Sequence, residues 1–294
     1  MSIAIILNPL AGGVRSDRGR RSVALGATIV DRDGTPAELF LTERPGHARD
    51  LARAAVARGV RLIVAWGGDG TINEVASATA FTAEPLAIVP AGSGNGLARE
   101  LGIDVRPDHA IADALGADPR TMDVGEIGGR LFVNMAGIGF DAHVARRFNR
   151  PGNRHRGLTG YVSVACRALF SYRAAQYAIT TPEGRIDRRA ILVTVANSAQ
   201  FGNGACIAPG ARVDDGQMDL VIVEERSRMA TLCQLPRLFN GTAERIPGYS
   251  IRRIRRVTIT CDQPMLFHVD GEPVEGGTAL TALVHPGALK ICVK

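Results

Sequence analysis

The chain has 294 residues, a formal charge of +6 at neutral pH, 46% hydrophobic residues and 22% charged residues, as expected of a soluble globular protein with one or two domains. No apolar run approaches the ~20 residues that a membrane-spanning helix needs. Lysine occurs only at Lys290 and Lys294, so 33 of the 35 basic residues are arginine, and a GxxxxGK[ST] phosphate loop is excluded.

The N-terminus and the cysteines indicate the compartment. Met1–Asn8 has a short apolar stretch without a basic segment before it, so it is predicted to be a first strand rather than a signal peptide. The widely spaced Cys166, Cys206, Cys233, Cys261 and Cys292 form no CxxC pair and are interpreted as buried free thiols rather than zinc ligands. We expect a cytoplasmic protein that can still visit a membrane surface.

The N-terminal part alternates short apolar strands with helices, which indicates a parallel sheet covered on both faces. The predicted strands are Ile3–Asn8, Ala37–Leu41, Leu62–Trp66 and Leu86–Val89. The predicted helices are Arg15–Ala27, His47–Arg58, Thr71–Thr79, Leu97–Leu101 and Ala110–Leu115. Ligands of such α/β sheets bind beyond the carboxyl ends of the strands.

From about Met122 the strands become longer and alternate in hydrophobicity, which predicts an antiparallel β-rich second domain. The predicted strands are Leu131–Ala136, Gln176–Thr180, Ala190–Asn197, Met218–Val223, Arg256–Cys261, Met265–Val269 and Leu280–His285, with one helix at Tyr161–Tyr172. We therefore predict an α/β domain over residues 1–122 and a β domain over residues 123–287. A return of residues 288–294 to the first domain is left open.

Three glycine-rich loops each follow an apolar strand and precede a predicted helix. They read Asn8-Pro9-Leu10-Ala11-Gly12-Gly13, Gly67-Gly68-Asp69-Gly70-Thr71 and Pro90-Ala91-Gly92-Ser93-Gly94-Asn95-Gly96. Such loops present backbone N–H groups and a helix dipole to an anion. Three at corresponding ends of one sheet predict a phosphate site, although glycine also serves in ordinary turns. A fourth stretch, Gly137–Ala142, matches GxGxxA but lacks the later acid that binds a ribose, so we interpret it as a tight βα turn.

Asp69 places an acid where a phosphate would bind. Phosphoryl transfer needs a divalent cation and a group that orients or deprotonates the attacking hydroxyl. Magnesium prefers carboxylates, water and substrate phosphates. We therefore hypothesise that Asp69 holds magnesium or the hydroxyl. The alternative is structural, with Asp69 capping the helix that begins near Thr71.

These loops resemble the diacylglycerol kinase catalytic domain family. Gly67–Thr71 with Asn73-Glu74-Val75 is similar to the family's signature loop, and Pro90–Arg99 resembles its second loop, also in the form that sphingosine kinases have. Further matches follow in family order: Asn8-Pro9 and Gly12, Thr42 with Gly46-His47-Ala48, Asn134–Asp141, Phe201–Gly204, Ala208-Pro209, Asp215-Gly216 and Asp270-Gly271-Glu272-Pro273. The resemblance covers essentially the whole chain and is strongest to compact bacterial lipid kinases.

The resemblance implies an ATP-binding α/β domain, a β-sandwich domain, an active site between them, and transfer of the ATP γ-phosphate to a lipid hydroxyl with Mg²⁺. It places around the nucleotide Asn8, Pro9, Gly12, Thr42, Gly68, Asp69, Gly70, Thr71, Asn73, Glu74 and Ser93. It gives Glu272 the position of general base and makes Asp69 the second catalytic carboxylate. Asp123 and Asp215 match acids of a metal and water network, and a magnesium site would use Asp215 and the carbonyls of Arg212 and Gln217.

Several alternatives stay open at this point. Asp-Gly is also a hairpin signal, so Asp215-Gly216 and Asp270-Gly271 have a purely structural interpretation. Gly96 stands where diacylglycerol kinases commonly have an acid, which weakens a claim for diacylglycerol as acceptor. The first loop has no lysine, and Arg15 is an imperfect substitute. The rival functions are an NAD or other small-molecule kinase and a non-catalytic nucleotide- or lipid-binding protein.

A basic stretch lies between Ala142 and Pro182, where no acid occurs. It contains Arg146, Arg147, Arg150, Arg154, Arg156, Arg167 and Arg173, interleaved with the apolar Leu158, Tyr161, Val162, Val164, Ala165, Leu169 and Phe170, and a second cluster is Arg252, Arg253, Arg255 and Arg256. Basic residues near an anionic bilayer contribute ~1 kcal/mol each. We hypothesise peripheral docking on the inner face of the membrane and admission of the lipid tail there.

The alternative for the basic stretch is a solvated surface. Nucleic acid is not expected as a partner, because no recognised binding module or aromatic platform is present. A homodimer is left open.

Overall fold

The computed structural model describes residues 2–11, 25, 36–150 and 157–294. Within it the chain forms two compact units, Met1–Met122 with Gly287–Lys294 and Asp123–Pro286. The predicted helix Arg15–Ala27 lies outside the described residues except for Leu25, as do Gly12, Arg154 and Arg156.

The first unit is a parallel sheet with helices after its strands. Its elements are β1 Ile3–Leu7, β2 Ala37–Leu41, α1 His47–Ala57, β3 Leu62–Gly67, α2 Asp69–Thr79, β4 Leu86–Pro90, α3 Gly96–Glu100 and α4 Pro107–Leu115. The strand order is β2-β1-β3-β4 and every pairing is parallel. Every residue of β1, β3 and β4 is buried, as expected for strands covered on both faces. Ile291, near the C-terminus, pairs in parallel with Leu86 of β4.

The second unit is built from antiparallel strands. Its strands are β5 Pro119–Ile127, β6 Arg130–Phe132, β7 Met135–Gly139, β8 Ala175–Thr181, β9 Gly184–Ala196, β10 Met218–Glu224, β11 Tyr249–Ile254, β12 Arg256–Thr260, β13 Leu266–Val269, β14 Glu272–Glu275 and β15 Ala279–Cys292. The start of β5, up to Met122, and the end of β15, from Gly287, belong to the first unit. Its helices are α5 Phe140–Phe148, α6 Leu158–Ser171, α7 Arg228–Gln234 and α8 Pro236–Phe239, with a 3-10 turn at Ala243–Arg245.

The antiparallel strands enclose a core. The long strand β9 pairs with β7, β8 and β10 along its length, and β13 pairs with both β7 and β14. Fully buried residues such as Phe132, Ile138, Val193 and Phe267 fill it. The predicted fold class, a parallel α/β domain followed by an antiparallel β domain, is therefore confirmed.

Some element boundaries differ from the prediction. The predicted strand Leu131–Ala136 is two strands, because the backbone N–H groups of Val133 and Asn134 donate to a side chain, Asp270, instead of to a neighbouring strand. The strands β9 and β15 run longer than predicted, and the elements β5, β11, β14, α5, α7 and α8 were not predicted. The turn at Gly137–Ala142 is confirmed, since β7 ends at Gly139 and α5 begins at Phe140.

The cysteines are free, as predicted, but only Cys292 is buried. Burial raises the pKa of its thiol. Cys233 is exposed because it lies on α7, a helix without a buried residue. The prediction of buried thiols is therefore wrong for Cys233.

Candidate active site

The glycine-rich loops of the first unit follow β1, β3 and β4, three adjacent parallel strands, so they share one edge of the sheet. A hydrogen bond joins the first loop to the second: Asn8 Nδ2 donates to Thr71 Oγ1 at 3.0 Å. Asn8 Oδ1 accepts from Leu10 N at 2.9 Å, which holds the turn that contains Pro9. Thr71 is buried, so this contact is a fixed part of the fold.

Asp69 joins the second loop to the third. Its Oδ2 accepts from Asn95 N at 2.9 Å and its Oδ1 accepts from Gly96 N at 2.7 Å. These are the first amides of α3, and a carboxylate bound to backbone N–H groups at a helix N-terminus is stabilised by charge as well as by hydrogen bonding. Asp69 itself is the first residue of α2, whose N-cap is Gly68. The structural alternative, in which Asp69 caps the helix that begins near Thr71, is therefore wrong, because Asp69 caps the start of α3 instead.

The glycines of these loops are required by close packing. A Cβ on Gly92 would lie 2.7 Å from Gly68 Cα and 2.8 Å from Asn95 Oδ1. A Cβ on Gly94 would lie 2.8 Å from Asp69 Oδ2. All three distances are shorter than a carbon atom allows, so the backbones of Gly68 and Gly92 approach each other only because side chains are absent. These contacts explain how the second and third loops can lie together, as predicted.

Glu74 connects α2 to α1. Its Oε1 accepts from Gly46 N at 2.8 Å and its Oε2 accepts from Ala48 N at 3.1 Å. The carboxylate therefore caps the N-terminus of α1, where the dipole favours negative charge. Thr42, just before this turn, is buried and its N donates to Leu7 O at 2.9 Å.

The remaining predicted nucleotide residues fall on the same loops or helix. Gly70 and Asn73 lie on α2, where Ser77 Oγ lies 3.5 Å from Asn73 Oδ1, and Ser93 is exposed in the third loop. Gly12 lies outside the described residues. Exposure suits Ser93 to contact a ligand, whereas Asp69, Glu74 and Thr71 also hold the loops in place.

In the second unit, Glu272 lies directly after a tight hairpin turn. β13 and β14 pair from Val269 to Glu272, which leaves Asp270 and Gly271 as the two turn residues. Both have positive φ, 48° and 87°, as a type I′ turn requires. The hairpin interpretation of Asp-Gly is therefore correct, and the same hairpin presents Glu272 exposed at the start of β14.

The carboxylate of Asp270 anchors this turn. It is buried and accepts three backbone N–H groups, from Val133, Asn134 and Met135, at 2.9 Å each. Asp270 N donates in return to Met135 O at 2.9 Å. Hydrogen bonds to a charged group contribute about 1.5–3 kcal/mol each, so the turn is held firmly.

The predicted magnesium residues lie around the loop that precedes β10. Asp123 is buried, its N donates to Val213 O at 2.7 Å, and its Oδ2 accepts from Gly216 N at 2.6 Å. Asp215 Oδ1 accepts from Gln217 N at 3.0 Å. Arg212 is exposed and pairs with Asp214 at 3.4 Å.

The loop wraps Asp123, so Asp123 and the 213–217 segment are indeed brought together. Their donors, carboxylates and carbonyls, are of the type that magnesium prefers. Within residues 2–11, 36–150 and 157–294, no group of three or more His, Cys, Asp or Glu residues is placed to hold a metal ion. The predicted site contains only two such residues, Asp123 and Asp215, because its other two ligands are backbone carbonyls.

Sequence reasoning missed Asp219, which lies two residues beyond this loop on β10. It is only 8% exposed. Burial raises its pKa, Arg253 on β11 opposes that rise, and the charge of Asp215 adds to it. Negative charge is therefore imperfectly compensated beside the predicted magnesium residues. An acid in an alternating strand gives no signal of this, because it looks like a solvent-facing position.

Two family models together match most of the chain. The family model of the diacylglycerol kinase catalytic domain matches residues 2–127. The model described as YegS C-terminal NAD kinase beta sandwich-like domain matches residues 134–293.

Relatives agree along most of the chain. A Pseudomonas aeruginosa protein named "Probable lipid kinase YegS-like" is 32% identical over 277 residues, covering 93% of this chain and 90% of the relative. A Chromohalobacter salexigens protein of the same name is 30% identical over 253 residues, covering 85% and 81%. A solved diacylglycerol kinase structure from Bacillus anthracis has a TM-score of 0.76 at 20% identity, covering 100% of this chain and 97% of that one, and shows the same fold.

A parallel α/β unit with linked glycine-rich loops, followed by an antiparallel β unit, is the fold of the diacylglycerol kinase-like structures. The chain belongs to the diacylglycerol kinase catalytic domain family, in its YegS-like branch.

Proposed function

We propose that this protein is an ATP-dependent lipid kinase that transfers the γ-phosphate of ATP to a hydroxyl of diacylglycerol or a related lipid. The observation that carries the proposal is the link from Asp69 to the amides of Asn95 and Gly96. It holds two glycine-rich loops together at the carboxyl edge of a parallel sheet, where nucleotides bind in such folds. The family membership supports a nucleotide as phosphate donor.

The first unit would hold the nucleotide without a P-loop lysine. The loops offer backbone N–H groups, and α2 begins within the second loop, so its positive dipole end favours phosphate. Magnesium, when bound, would neutralise the phosphate charge, and Asp69 is the acid of the first unit that would hold it. Ser93, exposed between Gly92 and Gly94, is a further donor.

Glu272 would act as the general base. The acceptor hydroxyl is a poor nucleophile until its proton is removed. Glu272 would take that proton as the hydroxyl oxygen bonds to the γ-phosphorus and the bond to the β-phosphate oxygen breaks. The products are the phosphorylated lipid and ADP, and the proton then leaves Glu272 to solvent.

The test is transfer of labelled phosphate from ATP to a panel of detergent-dispersed lipids. We expect Glu272→Gln to lower kcat by about 100-fold or more, since general-base catalysis contributes about 10²–10⁴. Asp69→Asn should also lower kcat, with a loss of stability because Asn95 and Gly96 lose a charged acceptor. Glu275→Gln is the matched control, an exposed glutamate on the same strand. Transfer that survives both Glu272→Gln and Asp69→Asn would refute the mechanism.

The same assay separates the rival functions. Phosphorylation of NAD in preference to any lipid would identify a small-molecule kinase. Binding of ATP with no transfer to lipid or NAD would identify a non-catalytic binding protein. The relatives named as probable lipid kinases favour the lipid.

We also propose that the protein docks on an anionic membrane through α5 and α6. Arg146 on α5, Arg167 on α6 and Arg150, two residues after α5, are exposed, and Leu158 and Phe170 are 37% and 53% exposed. Basic residues with exposed apolar side chains suit an anionic interface.

The structure narrows the predicted apolar surface. Ala165 and Leu169 are buried and cannot contact lipid directly. Tyr161 is partly buried against the cluster of Val144, Ala165 and Ala168. Among the described residues, no helix is long and apolar enough to cross a bilayer. Sedimentation with anionic and neutral vesicles measures the docking.

A further inference from the structure

A buried imidazole–carboxylate pair lies beneath the hairpin that carries Glu272. His268 on β13 is 3% exposed and Asp141 on α5 is 5% exposed. His268 Nε2 lies 3.5 Å from Asp141 Oδ2. The other ring nitrogen, Nδ1, accepts a hydrogen bond from Gly271 N at 3.3 Å. The ring thus connects a buried acid to the turn residue that immediately precedes Glu272.

The contacts of the ring define its tautomer. A backbone N–H can only donate, so Nδ1 must be without a proton to accept from Gly271. The proton of the neutral ring then lies on Nε2 and faces the carboxylate of Asp141. Asp141 is the orienting group, as carboxylates are for the second nitrogen of functional histidines.

The acid is itself held in one orientation. Its Oδ1 accepts from Ala142 N at 2.8 Å and its Oδ2 accepts from Thr194 Oγ1 at 3.0 Å. The space for it is left by Gly137 of β7, where a Cβ would lie 1.8 Å from Asp141 Oδ2 and 2.7 Å from His268 Nε2. Only glycine at this position lets the acid and the ring meet.

A second side chain holds the same turn. Asn149, which follows α5, donates from Nδ2 to Gly271 O at 3.0 Å. Both backbone polar groups of Gly271 are therefore bound by side chains, its N–H by His268 and its C=O by Asn149.

Stability alone does not account for a polar pair at this place. Replacing both partners of a buried polar contact by apolar groups of the same shape is often nearly neutral or stabilising. Asp270 already anchors the turn through three amides. What Asp141 and His268 add is a fixed orientation of the Asp270–Gly271 peptide, the last peptide before the one that joins Gly271 to Glu272.

We propose that Asp141 and His268 are positioning residues for Glu272: Asp141 orients the ring of His268, and the ring accepts the Gly271 N–H and so fixes the direction in which Glu272 leaves the turn. The inference rests on the proposed function, in which Glu272 is the base. Misplacement of a reacting group by about 1 Å can cost about 100-fold in rate, so loss of this contact lowers kcat rather than substrate binding.

Two substitutions at His268 separate the roles of its two nitrogens. In His268→Asn the side-chain oxygen can occupy the place of Nδ1 and still accept from Gly271 N. In His268→Gln the amide reaches the place of Nε2 and can still donate to Asp141, but the acceptor for Gly271 N is lost. Both variants replace the ring by a neutral amide, so each controls for the other.

We expect His268→Gln to lower kcat for lipid phosphorylation by about tenfold or more, with KM for ATP and lipid nearly unchanged. His268→Asn should retain kcat within about threefold. Adding Glu272→Gln should abolish the difference between the two variants. Equal kcat for both variants, or losses that only follow their melting temperatures, would overturn the proposal.

A readout that needs no activity separates this proposal from the proposed function. Long-range ¹H–¹⁵N NMR spectra of histidine-labelled protein report the protonated ring nitrogen, and the His268 signals are identified by their loss in His268→Asn. The expected result is a proton on Nε2, and a proton on Nδ1 would overturn the proposal whether or not lipid is phosphorylated. A proton on Nε2 with no transfer to any lipid would instead contradict the proposed function, while Glu272→Gln without effect on transfer would overturn the positioning role itself.

Discussion

The contacts of the Asp69 carboxylate explain how an acid can lie in a loop that is proposed to bind phosphate. Both of its oxygens accept backbone amides at the start of α3, so part of its negative charge is compensated inside the protein. Glu74 does the same for α1. Acids in this sheet edge therefore serve as caps between loops, in addition to any role toward a cation.

Asp219 gives the pH dependence expected of a buried acid. Burial raises its pKa in the folded state, so the folded protein binds this proton more tightly than the unfolded chain does. The stabilisation from protonated Asp219 is complete below the unfolded pKa and is lost as pH rises through the folded pKa.

We expect Asp219→Asn, which mimics the protonated acid, to melt a few degrees above the unsubstituted protein at pH 7. The difference should shrink toward pH 4. Thermal unfolding across that range checks it, with the exposed Asp262→Asn as control. An Asn variant that is less stable at pH 7 would show that ionised Asp219 is well compensated, contrary to the direction of its pKa.

At the scale of elements, the sheet edge is assembled by contacts between loops that are distant in sequence. The buried runs that became β1, β3 and β4 could be predicted from hydrophobicity alone, because strands covered on both faces carry little else. The partners of Asp69 could not be predicted, since the contact with Asn95 depends on β3 and β4 lying side by side. The helices α7 and α8 have no buried residue and so leave no amphipathic pattern.

The close approach of Gly68 and Gly92 gives an element-scale prediction. A methyl group on Gly92 would lie 2.7 Å from Gly68 Cα, a backbone atom that cannot turn aside. Gly92→Ala should therefore separate the two loops, lower stability by about 1–3 kcal/mol as overpacking does, and weaken ATP binding by tenfold or more.

The matched control is Gly116→Ala, in the same unit. A Cβ there meets only ordinary contacts, 3.5 Å from Ala112 O and 3.9 Å from Asp113 O. Denaturant unfolding and ATP titration measure both variants. Equal losses of stability and ATP binding in Gly92→Ala and Gly116→Ala would show that the close approach of the two loops is not the cause of the loss in Gly92→Ala.

Over the whole molecule, the distribution of arginine determines which part of the surface is expected to attract an anionic membrane. Arginines on β9 pair with acids, as in Arg185–Asp187 at 2.9 Å and Arg188–Glu224 at 3.2 Å. Between Ala142 and Pro182 there is no acid at all. The burial of residues within that stretch could not be read from the sequence, because Leu169 and Phe170 look alike there although one is buried and the other exposed.

Neutralising the basic stretch should weaken vesicle binding selectively. We expect glutamine at Arg146, Arg147, Arg150, Arg154 and Arg156 to lower affinity for anionic vesicles by about 100-fold or more, given ~1 kcal/mol per basic residue near the surface. Binding of the unsubstituted protein should also fall as salt rises, because the attraction is screened.

The control removes five arginines that pair with acids: Arg44, Arg58, Arg185, Arg188 and Arg189. Its charge change is identical, so vesicle sedimentation at one salt concentration compares the two directly. An equal loss in both variants would show that net charge, and not α5 and α6, governs the attraction.

The hairpin turn also protects a chemically weak point of the chain. In an Asp-Gly sequence the glycine nitrogen can attack the aspartate side-chain carbon, and the cyclic imide that forms opens to isoaspartate. In this fold the Asp270 carboxylate is held by three amides and the Gly271 N–H is directed to His268, so attack is blocked. Isoaspartate at position 270 would therefore accumulate only while the hairpin is open, and its amount in an aged sample measures how long the turn has spent unfolded.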